Sequence, residues 1–286
     1  MKMAVIGCGR IGGSMALSWK RAGIVDEVIA FGHNPATLQK ALDKGAADTV
    51  TTSMEEAVKD ADIVVSAVPV EAMESVFTEM APFLKSDAVV TDVGSTRQTV
   101  IAAARKGLGD KFHQYAPAHP IAGGEMPGVD YASADLFDEK VVISTPDEGM
   151  DPKVVTFIEE AWRKAGARVQ AMSPLQHDLT FASVSHLPHV LAYALVDMIA
   201  REENAQEKLK MAGAGFRDFT RIASSSPVMW RDICLSNREA LSHELERYRA
   251  SLDTLQKYID ESDGKALESV FENAVRNRRG LVFPGK

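Results

Sequence analysis

Residues 3–14 read Met3-Ala4-Val5-Ile6-Gly7-Cys8-Gly9-Arg10-Ile11-Gly12-Gly13-Ser14, and this run decides the fold. Four apolar residues form a short strand, and the glycines that follow have the G-x-G-x-x-G spacing. A helical pattern opens near Ser14. The first glycine makes a tight turn, the second lets the backbone approach a pyrophosphate, and the third lets helix and strand pack closely. The helix N-terminus adds free N–H groups and partial positive charge. Alone, G-x-G-x-x-G is weak evidence; between a first strand and a first helix it has the context a dinucleotide fingerprint requires. Gly7, Gly9, Arg10, Ile11 and Gly12 are thus candidate cofactor-binding residues.

Outward from this run, short apolar strands are expected at residues 3–6, 27–31, 63–67, 88–91 and 141–144. Helix-like spacing lies between them at 14–22, 36–44, 54–59, 71–83 and 97–105. This alternation predicts an α/β, doubly wound (Rossmann) N-terminal domain over residues 1–172, with its ligand at the carboxyl ends of the strands. Near Ser173-Pro174 the texture changes. Amphipathic stretches at 175–201, 206–211, 229–262 and 265–277 predict an all-helical second domain over residues 173–286. After Arg276 the residues Arg278, Arg279, Gly280, Pro284 and Gly285 are expected to form a loosely held end.

Composition narrows the partners. With 286 residues, 45% hydrophobic and 25% charged, the chain has the make-up of an ordinary globular protein long enough for two domains. A net charge of −8 and a pI near 5.4 argue against nucleic acid or an anionic membrane, which would want a basic surface. Cys8 and Cys234 are far apart, with no metal-like spacing. The start resembles no signal peptide, and no run of 18 or more apolar residues is read. A soluble, unprocessed, cytoplasmic protein is expected.

The second strand departs from the NAD pattern. An Asp or Glu at its end would take the ribose 2′-hydroxyl. Here the strand runs into Gly32-His33-Asn34, with no carboxylate to repel a 2′-phosphate, and His33 and Asn34 become candidate contacts. The turn therefore leans to NADP, with NAD the alternative.

His119 lies in the run Ala118-His119-Pro120-Ile121-Ala122-Gly123. A neutral imidazole after nucleotide-binding strands suits a dehydrogenase, because hydride leaves a C–OH carbon most easily as a base removes the hydroxyl proton. An isolated His-Pro pair reads as an ordinary loop; its company argues otherwise. Four further segments stand beside the fingerprint: Thr91-Asp92-Val93-Gly94-Ser95; the His119 run; Ser185-His186-Leu187-Pro188-His189; and Gly215-Phe216-Arg217-Asp218-Phe219-Thr220-Arg221-Ile222-Ala223, followed by Met229-Trp230-Arg231-Asp232. Together they resemble the prephenate/arogenate (cyclohexadienyl) dehydrogenases of tyrosine biosynthesis, over nearly the whole chain.

That resemblance implies an oxidative decarboxylation in which hydride leaves C4 of a cyclohexadienol, CO2 leaves C1, and the ring becomes aromatic. It implies that His119 accepts the C4 hydroxyl proton and that Ser95 helps orient histidine and substrate. On its own chemistry, Ser95 is also a candidate N-cap for the helix over 97–105. The resemblance makes Arg221 the substrate-carboxylate arginine, a role for which a planar guanidinium is suited. Arg217, four residues away, shares its face if the segment is helical, and the rival for both is a solvated charged face. Glu125 and Asp218 are candidate ion-pair partners for these arginines. His189 is expected to meet the substrate side chain and His186 to support the pocket, each with a core histidine as rival; Trp230 is core or pocket wall. A metal site on His186 and His189 with His177 and Asp178 is disfavoured, because this chemistry leaves no task for a Lewis acid. The apolar stripes over 184–199 and 241–259 exceed the needs of one small helical domain, so a homodimer through the C-terminal helices is expected. The rival functions are a β-hydroxyacid-type dehydrogenase, which would carry a catalytic lysine where His186 and His189 stand, and a non-catalytic NADP-sensing module.

Overall fold

Met3, Ala4, Val5 and Ile6 are wholly buried, as a strand covered on both faces must be. The computed structural model describes residues 1–124 and 126–281. Six parallel strands form the main sheet in the order β3-β2-β1-β4-β5-β6. They are β1 (Lys2–Ile6), β2 (Glu27–Phe31), β3 (Thr49–Thr51), β4 (Ile63–Ser66), β5 (Val89–Asp92) and β6 (Tyr115–Ala116). Helices α1 (Arg10–Arg21), α2 (Pro35–Asp43), α3 (Met54–Val58), α4 (Met73–Met80) and α5 (Gln98–Leu108) connect them. The strand order reverses between β1 and β4, and a doubly wound sheet opens its ligand crevice at such a point. A second sheet joins β7 (Ala118–Pro120), β8 (Val141–Ser144) and β9 (Arg168–Ala171), with α6 (Pro152–Lys164) between the last two.

The sequence reading misses β3, β6, β7 and β9, and it misses α6. The strands are two to four residues long and lack an apolar run; β9 is mostly exposed at a sheet edge. The helix was legible: Asp151 caps it, Pro152 opens it, and Val155, Ile158, Ala161 and Trp162 make its buried stripe. Trp162 meets Trp19 of α1 edge-on at 5.6 Å, joining the two layers.

The remainder is helical. Elements α7 (Pro174–Phe181), α8 (Leu187–Ala200), α9 (Ala205–Lys210), α10 (Ala214–Thr220), α11 (Pro227–Ser236), α12 (Arg238–Asp260) and α13 (Gly264–Gly280) follow in order. A π-helical turn, Ala182–His186, runs between α7 and α8. The expected helix over 229–262 is two helices, broken at Asn237. The expected loose end is corrected as well. Asp263 caps α13, whose last turn carries Arg278 and Arg279, cations suited to a helix C-terminus, so Gly280 is still helical. Pro284 and Gly285 lie outside the described residues.

One buried cation fixes the sheet's carboxyl edge. Arg97 is fully buried; Nη1 donates to Asp92 Oδ1 at 2.9 Å, Gly94 O at 2.8 Å and Ala118 O at 3.3 Å. Nη2 donates to Asp92 Oδ2 at 2.9 Å and to the Tyr115 hydroxyl at 3.3 Å. The same hydroxyl donates to Asp92 Oδ2. Breaking a buried pair by removing one partner leaves an uncompensated charge, which costs about 3–5 kcal/mol. Arg97→Met should therefore lower the unfolding free energy in urea by about that amount, whereas a loss below about 1 kcal/mol would show that Asp92 is readily accommodated alone.

Candidate active site

The fingerprint loop is built for close approach. An added Cβ at Gly7 would stand 2.8 Å from the Ala67 carbonyl oxygen, and one at Gly12 would stand 2.6 Å from that of Gly7. At Gly9 an added Cβ would meet nothing within 4 Å. Gly9 is also the N-cap of α1, and no side chain caps the helix. An open surface over uncapped N–H groups fits a pyrophosphate. The Cys8 thiol points inward, and burial pushes its pKa up to about 12. Arg10 is turned aside: Nη1 donates to Met126 O at 3.1 Å, tying the loop to the segment beyond His119.

At the end of β2, Asn34 is committed to the backbone. Its Oδ1 accepts from Ala36 N at 2.9 Å and Thr37 N at 3.4 Å, capping α2. His33 packs edge-on against Phe31, with ring centroids 5.2 Å apart. Gly32 has room for a side chain, since an added Cβ would be 3.4 Å from Leu38, an ordinary contact.

His119 stands on β7, half-buried, where the sheet meets the helical part. Its Nδ1 lies 2.7 Å from His177 Nε2, and His177 Nδ1 lies 2.9 Å from Asp178 Oδ1. Asp178 Oδ1 and Oδ2 also accept from the backbone N–H groups of Arg97 and Gln98, at 2.7 and 2.9 Å. Phe181 stacks on His177 and leans on His119. Burial, then the neighbouring His177, Arg97 and His186, hold the His119 pKa well below 6.5. Burial lowers His177 as well, against the pull of Asp178. Burial alone would raise the Asp178 carboxyl, but hydrogen bonds from His177, Gln98 and Arg97 outweigh it and hold it low.

The expected cap on α5 is corrected here. The helix starts at Gln98, and none of its own preceding side chains caps it. Asp178, arriving from α7, meets its first amides instead. Ser95 is half-buried in the turn after β5, and the group that reaches His119 Nδ1 is His177.

The remaining candidates line the helical side. His189 stacks on Trp230 at 3.6 Å, and its Nδ1 lies 2.8 Å from Ser185 O. Burial lowers the His189 pKa against that hydrogen bond, and the charge of Arg221 lowers it further. Trp230 is buried, and its indole N–H has no partner among the described residues. His186 is a buried histidine with Nδ1 3.1 Å from Asn237 Nδ2, and burial lowers its pKa to about 4. Asn237 also donates to Asp178 O at 2.8 Å. Arg217 lies in α10 and Arg221 opens the 3-10 turn Arg221–Ser224; both are exposed in the single chain. Among the described residues Asp218 forms no ion pair, and Glu125 lies outside them.

Sequence reading missed Arg97 and Asn237, and took His177 and Asp178 only as spare metal ligands. The signal was slight: an adjacent His-Asp pair inside an apolar helical stretch, where charge needs a partner.

Two family models match the chain: the prephenate dehydrogenase nucleotide-binding domain over residues 15–171 and the prephenate dehydrogenase dimerization domain over residues 173–273. The chain is 36% identical to a cyclohexadienyl dehydrogenase of Zymomonas mobilis, covering 98% of this chain and 95% of that one. It is 34% identical to a prephenate dehydrogenase of Bacillus subtilis, covering 98% and 76%. Among solved structures, an Aquifex aeolicus prephenate dehydrogenase in complex with hydroxyphenyl propionate and NAD+ superposes with a TM-score of 0.90 at 35% identity, covering 98% of both chains.

Proposed function

The chain belongs to the prephenate dehydrogenase family, and from that premise we propose that it catalyses the NAD(P)-dependent oxidative decarboxylation of prephenate, arogenate or both in tyrosine biosynthesis. The observation that carries the reading is His119, a histidine kept neutral at the junction of sheet and helices, with one ring nitrogen engaged by His177. When bound, the dinucleotide supplies the hydride acceptor. His119 takes the C4 hydroxyl proton through the ring nitrogen that His177 leaves open, as hydride leaves C4 and CO2 leaves C1. Aromatisation drives the step, so the residues need only position the ring and receive one proton. Ser95, in the turn after β5, helps orient the substrate, while His177 holds the histidine ring. Arg221 holds a substrate carboxylate, with Arg217 nearby; His189 meets the side chain, Trp230 walls the pocket, and His186 supports it from the core.

The cofactor reading stays with NADP ahead of NAD, because no carboxylate follows β2; Asn34 acts mainly as a helix cap, leaving His33 the stronger candidate contact. We divide the chain at 172/173, between the end of β9 at Ala171 and the start of α7 at Pro174. We read the assembly as a homodimer through the C-terminal helices. Helix α12 buries only Leu241 and α13 buries nothing, yet Leu252, Ile259, Val270 and Phe271 face outward. The run Pro174–Ala200 is apolar enough by composition to span a membrane, with 22% of its window buried. Because His177 and Asp178 tie it to the sheet, its bare face is read as subunit contact. Two free thiols suit a cytoplasmic enzyme.

Purified protein should reduce NADP or NAD with prephenate or arogenate, read by absorbance of the reduced nicotinamide and by release of CO2. Inactivity of a folded, cofactor-binding sample with all four combinations would overturn the reading. Above its lowered pKa His119 is neutral and competent, so kcat/KM should be flat near neutrality and fall on acidification, with a midpoint below 6.5. His119→Asn should cut turnover roughly 10²–10⁴-fold and abolish that acid limb; a limb that persists would place the base elsewhere.

Arg221→Ala should raise the substrate KM by at least about tenfold, equivalent to 1.4 kcal/mol, with cofactor Kd unchanged. An unaltered KM would return Arg221 to a solvated face. Gly32→Asp has room for its side chain, and its charge should repel a 2′-phosphate. The ratio of kcat/KM for NADP over NAD should fall by about tenfold or more. A wild type that already prefers NAD strongly would refute the reading of this turn.

A further inference from the structure

With both rings neutral, the hydrogen bonds around His119 have one consistent direction. Asp178 is a carboxylate whose two oxygens already accept from the amides of Arg97 and Gln98, so it can only accept from His177. The proton of His177 therefore lies on Nδ1, and in the neutral ring Nε2 presents a lone pair. That lone pair faces His119 Nδ1 at 2.7 Å, a distance at which two lone pairs would repel. His119 must bring the proton to the contact. Its Nδ1 is then protonated, and its Nε2 is left as the acceptor. We infer that Asp178 and His177 are positioning residues that lock His119 in the tautomer whose Nε2 is the base, an inference that rests on the proposed dehydrogenase function.

The groups facing this chain decide whether it survives in the neutral state. His177 is faced by Asp178 on its own helix, by Asp92 at the end of β5, by Arg97 just before α5, by His119 from β7, and by the Phe181 ring stacked at 4.4 Å. The carboxylates favour an imidazolium; burial and the Arg97 charge oppose it, and the opposing side wins. Were His177 protonated, its Nε2–H would donate to His119 Nδ1 and force the His119 proton onto Nε2, the wrong side for a base. The lock also serves the step itself. When the substrate O–H bond breaks and an Nε2–H bond forms, the resulting imidazolium keeps its Nδ1–H directed at His177 Nε2, and Asp178 lies beyond as the counter-charge. The device is assembled from both parts of the chain, because His119 belongs to β7 while His177 and Asp178 belong to α7.

The direct test is a two-bond 1H–15N spectrum of the full-length protein labelled at histidine nitrogens, free of cofactor and substrate, above neutral pH. Signals are assigned with His119→Asn and His177→Gln. The expected result is a proton on Nδ1 and none on Nε2 for both His119 and His177. A His119 proton on Nε2, or a doubly protonated His177, would overturn the inference. This spectrum reads the tautomer whether or not prephenate is turned over, so an inactive protein would strike the proposed function alone. In kinetics, His177→Leu removes the acceptor and should lower kcat by about 10–100-fold, with KM for both substrates within about twofold. His177→Gln keeps a carbonyl acceptor for His119 Nδ1 and should recover most of that loss. A Leu variant as fast as wild type, or a Gln variant as slow as Leu, would refute the lock. If Leu fails to fold, the wild-type spectrum still decides.

Discussion

The buried guanidinium of Arg97 is the constraint on which the site depends. Its two terminal nitrogens reach the Asp92 carboxylate, the carbonyls of Gly94 and Ala118, and the Tyr115 hydroxyl. Those two carbonyls immediately precede Ser95 and His119. One planar fork thus sets the distance between the turn after β5 and the start of β7. A lysine offers a point charge on a flexible stem and could not reproduce that spread. The cost of burying the charge is offset only because most of the donors find acceptors, Nε having none among the described residues. The same positive charge helps keep His119 and His177 neutral, so scaffold and site electrostatics share a source.

The second dependency runs between the two parts of the chain. Helix α5 starts without a side-chain cap of its own, leaving amides that need an acceptor. Asp178 supplies it from α7, where the positive end of the helix also favours a carboxylate. Asn237, at the break between α11 and α12, holds both the Asp178 carbonyl and the His186 ring. The helical part is therefore more than a wall over the cleft. Its docking fixes an amide pair, a histidine ring and, through that ring, His119.

The polar anchoring of α7 contrasts with the surface of the later helices. Near the sheet, α7 and the following π turn bury His177, Asp178 and His186 among hydrogen bonds. Farther away, α12 and α13 leave apolar side chains uncovered. The contrast is between a helix held to the sheet by buried hydrogen bonds and later helices whose apolar stripes stay uncovered in the single chain, the surface on which the proposed subunit contact rests.

Much of this was determined by sequence alone. Period and punctuation are local, so the G-x-G-x-x-G run after residues 3–6, the alternation that followed it, and the change of texture at Ser173 specified a Rossmann part and a helical part. The motifs around Ser95, His119, His186, His189 and Arg221 carried the family, because such short runs keep their residue types wherever the chain later places them. Tertiary structure alone decided what no local pattern encodes. Strands of two to four residues at sheet edges exist only because a neighbour pairs with them. The cap of α5 comes from a residue 80 positions away. Arg97 read as the start of a helix until Asp92, Tyr115 and Ala118 closed around it. Which nitrogen of His119 faces outward depends on a hydrogen bond 58 residues distant in the chain, and only folding brings its two ends together.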